Sequence, residues 1–553
     1  MDRSVSSDAS AAAFLAEHGL VCASPRAIPG VPESVASLVD VAADLHGDAP
    51  ALADRRARFT YAELREAVDR AADVLAGSGV RPYDRVAMSL PNTVDVVVGF
   101  LAVMRLGAIW VGINTHLAAP EQRFLLDDSG ASFLVTTAAT AASLDSPAAQ
   151  PDTVVLLVDV ERPGSWWAAG SADRRGIDHV DPHGPAAIAY TSGTTGRPKG
   201  AVHSQHNILL SPAAITRLEP GPLVQGTILP LTILNMQVLS TIQSMLCGGL
   251  LVPIDRIDAV GVAGWVREFA VQRMYTTPPT VYDLLTRPDI EPGDVATLTH
   301  LGVGGAKVPA GLRERYRERF GRDFVVGYGL TEAPTGVTGA SLAVRSNPVG
   351  SSGVAREHVD VTVRDAAGAA LGPDVEGEIC VGPRSDGPYA GCYSTMLGYW
   401  NRPDATAAVL RGGVLHTGDV GRIDADGVLW VLDRHSDLII RGGANVYPAE
   451  VERVVELLPQ IAEIAVVPRE HPRLGEEVVA FVSPAPDVDA GDLDREQLAA
   501  VCASQLARYK VPAAWFAVER FPRNAMGKVI KPVLTQWLSD GAWPDGLAAP
   551  VTL

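Results

Sequence analysis

Lysine is nearly missing from this chain. Of 553 residues only Lys199, Lys307, Lys510, Lys528 and Lys531 are lysine, and almost every other cation is arginine. Lysine is a compact point charge on a flexible stem, unlike the planar arginine fork, so the few lysines kept are better candidates for chemistry than most. Cysteine is also sparse. Cys22, Cys247, Cys380, Cys392 and Cys502 are scattered and form no CxxC, which argues against a disulfide framework or a cysteine zinc site and suits a reducing cytoplasm. Positive charge is in deficit, with a net charge of −18, which excludes general nucleic-acid binding but leaves room for a local basic pocket. The opening MDRSVSSDASAAAFLAEHGL has no apolar signal core. No long apolar run is unbroken. Arg105 interrupts residues 94–114, and Asn235, Gln237 and Gln243 interrupt residues 228–254, so both read as buried core and not as membrane spans.

What is present is the composition of a globular protein, 47% hydrophobic and 20% charged. A chain of this length exceeds a single core and divides into domains. Residues 1–30 read as a loose arm with a short helix. In FTYAEL, Thr60 and Glu63 form a capping box that opens an amphipathic helix ending near Gly77. Strands are expected at residues 86–90, 108–113 and 133–137, with helices at 93–106 and 121–128. Such alternation implies a parallel sheet covered on both faces. Beyond residue 433 the pattern is a compact α+β unit, with a helix at 451–458 and strands at 461–467, 478–482 and 513–521.

The chain is organised around residues 190–200, YTSGTTGRPKG. Small apolar residues deliver a strand into a loop of Thr191, Ser192, Gly193, Thr194, Thr195, Gly196 and Lys199. Glycines let backbone approach a ligand closely, and N–H groups, hydroxyls and one ammonium make a cradle for phosphate oxygens. The Walker pattern GxxxxGK[ST] does not fit, because Arg197 and Pro198 separate Gly196 from Lys199. Two later stretches add to this. LGVGGAK, residues 301–307, ends a strand on Gly304, Gly305 and Ala306, small residues that leave room for a flat ligand. FVVGYGLTEA, residues 324–333, delivers Gly327, Tyr328, Gly329, Thr331 and Glu332. Tyr328 could stack on an aromatic base, and Glu332 is a hard oxygen ligand suited to Mg²⁺.

These motifs, in this order, resemble the adenylate-forming superfamily of acyl-CoA synthetases, luciferases and peptide-synthetase adenylation domains, and acyl-CoA synthetases most of all. The resemblance covers nearly the whole chain. It implies a large N-terminal domain, residues 1–433, with parallel αβα sheets and a distorted β-barrel. A small mobile α+β domain, residues 434–553, follows. It implies ATP, Mg²⁺ and CoA as cofactors, a carboxylic acid as substrate, a cytoplasmic enzyme and possible homodimerisation. Thr331 matches a contact to the α-phosphate, Asp419 in HTGD and Arg434 match ribose contacts, and Gly442 and Gly443 border a pantetheine tunnel. Lys528 in NAMGKVIK matches the catalytic lysine, with Glu332 and Thr191 beside it. Gly304, Gly329 and Asn235 fall where the acyl group sits.

Departures are informative. PLTILNMQV, residues 230–238, carries no acid, which disfavours an α-amino acid substrate, and its lack of fixed charge points to an apolar acyl group. Asn235 stands where many members have a histidine or aromatic. Ser436 occupies the hinge position usually held by Asp or Lys. GPRSDGPYAGCYSTMLG, residues 382–398, is longer than the usual linker. The expected reaction is adenylation of the acid by ATP, then transfer to the CoA thiol. Open alternatives are an enzyme that performs only the thioester-forming step, an acyl-AMP ligase loading a carrier protein, and a nucleotide-binding protein without turnover.

Overall fold

The computed structural model describes the chain except residues 1–11, 22–23, 145–152, 173–179, 192–196, 305–307, 309–310, 341–346, 349, 435–438, 486–487, 523–528, 530, 542 and 544–549. The capping box forms as the sequence dictates. The helix Tyr61–Gly77 starts on Thr60, whose hydroxyl accepts from the Glu63 N–H while the Glu63 side chain accepts from the Thr60 N–H. Its apolar stripe, including Leu64, Val68, Ala71 and Leu75, is buried. The helix Val94–Arg105 is buried at every position. Arg105 is tolerated there because Asp69 and Asp40 pair with it, the latter at 3.0 Å, as a buried guanidinium requires. Among the described residues no helix is long and apolar enough to cross a membrane.

Two seven-stranded sheets form the body of the larger unit. One runs Gly398–Tyr399, Lys199–Ser204, Pro185–Thr191, Ile109–Gly112, Arg85–Ser89, Phe133–Thr137 and Val154–Val158 across the sheet. The last five of these strands are parallel, and Lys199–Ser204 turns back antiparallel. The second runs Val325–Val326, His300–Val303, Arg273–Thr276, Val224–Thr227, Leu250–Pro253, Pro50–Ala53 and Arg58–Thr60, with only the final pair antiparallel. In parallel sheets ligands gather beyond the carboxyl ends of strands, and the motif residues Gly304, Gly327 and Thr191 all follow or end such strands. In the region of the expected distorted barrel the described strands make an antiparallel sheet. It comprises Asp360–Arg364, Gly377–Gly382, Val414–Ile423, Leu410–Arg411 and Leu429–Arg434, and is bridged at Val354 and Val428 to a short ribbon. The DADG segment makes the tight turn between two of these strands, with the Gly427 N–H donating to the Asp424 carbonyl.

From residue 439 the chain builds a separate six-stranded sheet around the long hairpin Ile461–His471 and Gly475–Pro484. Its own core holds Val451, Val466, Val482 and Trp515. The expected helix is Pro448–Val455, both hairpin strands run longer than predicted, and the last strand is shorter, Ala514–Ala517. Strand pairing across the hairpin extends these strands past their apolar stretches into charged Arg469 and Glu477, which pair at 2.7 Å.

Residues 382–398, the long linker, are anchored at both sides. His206 Nε2 and the Asn207 amide reach the carbonyls of Cys392 and Thr395 at 2.7 and 2.8 Å, and the Gly391 carbonyl accepts from the Arg26 N–H at 2.8 Å. Tyr389, Cys392, Tyr393 and Met396 are buried. The extra length is thus a packed strap between the N-terminal arm and the helix Gln205–Leu218.

Candidate active site

The strands Pro185–Thr191 and Lys199–Ser204 pair with Thr191 opposite Lys199 and Tyr190 opposite Gly200. They form the base of the expected phosphate loop. Ser192, Gly193, Thr194, Thr195 and Gly196 lie outside the described residues. A Cβ on Gly200 would sit 2.4 Å from the Ile188 side chain, so this glycine serves close strand contact. The Lys199 ammonium lies 5.4 Å over the Tyr399 ring, an attractive cation–π placement.

The GYGLTE segment folds as a tight ribbon in which Gly329–Leu330 pairs with Thr335–Gly336. Here two expected ligand-binding glycines have a structural reason. A Cβ on Gly329 would lie 2.6 Å from the Thr335 carbonyl, and one on Gly327 2.8 Å from that of Thr338. Thr335 itself takes φ +82°, costly for a β-branched residue, and its hydroxyl is 3.1 Å from Ser211 Oγ. The ribbon brings Glu332 beside Thr191, at the base of the expected phosphate loop. Glu332 Oε1 accepts from the Tyr399 hydroxyl at 2.8 Å and lies 3.4 Å from the Thr191 hydroxyl. Behind it the Thr331 carbonyl is 2.8 Å from His203 Nε2. Burial pulls the His203 pKa down to about 4, so this imidazole is a neutral prop. Glu332 offers one carboxylate against a loop of hydroxyls and backbone. That donor set fits Mg²⁺, which is held by one or two carboxylates together with substrate phosphates.

Asp419 is buried, and its Oδ2 accepts from the Tyr328 hydroxyl at 2.6 Å. Asp419 pairs directly across the antiparallel sheet with Arg434, so the two expected ribose contacts are neighbours in register. The turn before Asp419 is held by Glu378, which accepts from the Gly418 N–H at 3.1 Å and lies 2.7 Å from His416 Nδ1.

Thr191, Lys199, Tyr328, Thr331, Glu332 and Asp419 line one large cavity of about 3000 Å³, together with Asn235, Gly304, Gly327, Gly329, Gly442 and Gly443. A Cβ on Gly304 would make an ordinary contact with the Gly327 carbonyl at 3.6 Å; Gly305 and Ala306 lie outside the described residues. Asn235 precedes a π-helical turn, Gln237–Ile242, and its Oδ1 is buried without a hydrogen-bond partner. Such turns recur at functional sites. Ile215, Leu218, Leu229, Ile233 and Leu239 give this part of the wall its apolar character. The expected absence of fixed charge does not extend to the whole cavity, because Glu219, Arg273 and Arg356 also line it. All three lie outside residues 230–238, where the sequence reading looked.

The smaller unit meets the larger one at this cavity. Gly442 and Gly443 turn at φ +62° and +85°, and a Cβ on Gly443 would lie 2.3 Å from Thr277 Cγ2. Lys510 Nζ bonds Glu121 of the larger unit at 2.5 Å and pairs with Glu450 of the smaller at 3.0 Å. Burial alone would lower its pKa, but the two carboxylates outweigh it and the net shift is upward. Lys528 and Ser436 lie outside the described residues, and Arg434 is described in its backbone only. Sequence reasoning missed Tyr399, His203 and Lys510 as parts of the site. Only Lys510 carried a signal, its rarity.

A family model of AMP-binding enzymes matches residues 39–400, and one of the AMP-binding enzyme C-terminal domain matches residues 450–528. The chain belongs to the AMP-binding enzyme family. It is an adenylate-forming, ATP-dependent acid–thiol ligase of the acyl-CoA synthetase kind. It is 37% identical over 487 residues to a feruloyl-CoA synthase of an Amycolatopsis species, covering 86% of this chain and 92% of that one. It is 33% identical over 486 residues to the long-chain-fatty-acid–CoA ligase FadD13 of Mycobacterium tuberculosis, covering 87% and 93%. The amide bond synthetase McbA of Marinactinospora thermotolerans superposes with a TM-score of 0.80 at 30% identity, covering 91% of this chain and 99% of that one.

Proposed function

We propose that this ligase activates a carboxylic acid with a largely apolar body. ATP converts the acid to an acyl adenylate with release of pyrophosphate, and the acyl group then passes to the thiol of CoA as AMP leaves. The observation that carries this reading is the shared cavity, in which Thr191, Glu332, Asp419 and Gly443 face one space.

In the first step the acid's carboxylate oxygen attacks the α-phosphorus. Negative charge gathers on phosphoryl oxygens, so preorganised cations and donors supply most of the acceleration. Lys199, the Thr191 hydroxyl and the loop that follows cradle the phosphates, and Thr331 meets the α-phosphate. Glu332 would hold Mg²⁺, which would supply charge neutralisation for the phosphates. Tyr399 and Thr191 keep the Glu332 carboxylate oriented toward that place. Asp419 and Arg434 hold the ribose, Tyr328 lies against the base, and Lys528 bridges the acid's carboxylate and the α-phosphate. In the second step the smaller domain, residues 434–553, presents Gly442 and Gly443. These glycines add no side chain of their own to the path of the pantetheine arm, and closure of the smaller domain over the site would keep water from the adenylate.

The test is a carboxylic acid panel incubated with ATP and either CoA or a carrier protein, read by pyrophosphate release and by mass spectrometry of the thioester. Pyrophosphate with acyl-CoA is the expected result. Acyl-CoA only from a supplied adenylate would select the single-step enzyme, and acylation of the carrier alone would select the carrier-loading ligase.

A further inference from the structure

The acyl part of the cavity is apolar along residues 215–239 but ends in charge. Arg356, Arg273, Glu219 and Tyr275 all line it. The Arg273 guanidinium bonds Glu219 at 2.6 Å, and the Tyr275 hydroxyl sits 3.1 Å from the Gln243 amide. Arg356 has no such partner. Its Nε is buried without a hydrogen bond, and among the described residues no carboxylate lies within ion-pair distance of it. Burial opposes its charge, with Tyr275 and Glu219 only partly offsetting that from farther away. The chain makes room for this side chain. A Cβ on Gly339 would lie 2.5 Å from an Arg356 terminal nitrogen, and one on Gly336 3.2 Å from its Nε. Two glycines thus flank a guanidinium that forms no ion pair among the described residues.

Arg356 is partly buried on the cavity wall with its Nε orphaned, and a partly desolvated cation without a counter-charge is costly. Counting the cluster gives two arginines against one glutamate, an excess of one positive charge open to the cavity. We propose that Arg356 receives a second carboxylate, so that the substrate is a dicarboxylic acid whose apolar middle spans the cavity. One carboxylate is activated near Thr191 and Glu332, and the remote one forms the bidentate pair that a guanidinium fork favours. This inference rests on the proposed acid-activating function and narrows its substrate class.

The experiment compares kcat/KM for adenylation, by pyrophosphate release, across chain-matched monocarboxylic, ω-oxo and dicarboxylic acids. Wild type should prefer the dicarboxylic member by roughly tenfold to a hundredfold, the usual worth of a charge-assisted hydrogen bond. Arg356→Met should erase that preference, and Arg356→Lys should keep part of it, which separates specificity from misfolding. Calorimetric binding of the same acids to the AMP-loaded protein gives a second readout independent of turnover. Equal use of all three acids by wild type, or a dicarboxylate preference that survives in Arg356→Met, would overturn the proposal. A preference for the ω-oxo acid over the dicarboxylic one would also overturn it, in favour of a neutral acceptor. If no acid yields pyrophosphate, the acid-activating reading fails first, and the binding series still decides the role of Arg356.

Discussion

Glu332 is the residue on which the phosphate end of the site converges, through Tyr399, Thr191 and the ribbon held by His203. Glu332→Gln keeps the shape and both hydrogen-bond neighbours but removes the charge that suits it to Mg²⁺. Pyrophosphate release should fall by roughly a hundredfold or more, about 3 kcal/mol of transition-state stabilisation, with an unchanged melting temperature. Near-normal release would remove the assignment. Lys528→Ala should lose adenylation to a similar extent yet still convert a supplied acyl adenylate and CoA to thioester; equal loss of both steps would make Lys528 structural. Glu332, Thr191 and Asp419 were legible from sequence because each sits inside a string of unusual residues. Tyr399 was not legible. It lies far from Glu332 along the chain, and only the antiparallel pairing of Gly398–Tyr399 with Lys199–Ser204 brings it there. Arg356 was hidden for the same reason.

At the scale of elements, local signals predicted well. The Thr60 capping box, the buried run of Val94–Arg105 and the strand into Thr191 all follow from spacing and residue type. Side-chain alternation fails to reveal where strands end when pairing extends them, as in Ile461–His471 and Gly475–Pro484. The glycines are the other limit, because a motif marks them without saying what they avoid. Gly327 and Gly329 make room for opposing carbonyls, whereas Gly443 makes room for Thr277. Gly443→Val would drive a branched side chain into Thr277 whenever the smaller unit is docked. Thioester formation should drop by roughly a hundredfold or more, while adenylation, for which the proposed mechanism turns that unit to another placement, is spared. Measuring the two half-reactions separately checks this, and parallel loss of both would count against a tunnel role.

For the whole molecule, the presence of a large N-terminal and a C-terminal unit was readable from length and from a change in pattern, but the join between them was not. Beside the exposed Arg473–Asp283 pair at 2.9 Å, it is made by Lys510, a buried cation gripped by one acid from each side. Removing a partner from a buried ion pair is costly because the remaining charges are stranded. Lys510→Met should therefore slow thioester formation by roughly tenfold to a hundredfold, with Lys510→Arg intermediate. Equal slowing of adenylation would show a general loss of stability instead. The bridge has a thermodynamic consequence as well. In the structure it coexists with the Gly443–Thr277 contact, so if the smaller unit turns between the two steps as proposed above, the bridge biases it toward this placement. Linkage is reciprocal: any ligand that requires the other placement binds against that bias, and by the same factor. Weakening the lysine should raise the affinity for ATP while lowering that for CoA, so that tight nucleotide capture and fast thiol transfer become opposite ends of a single lever.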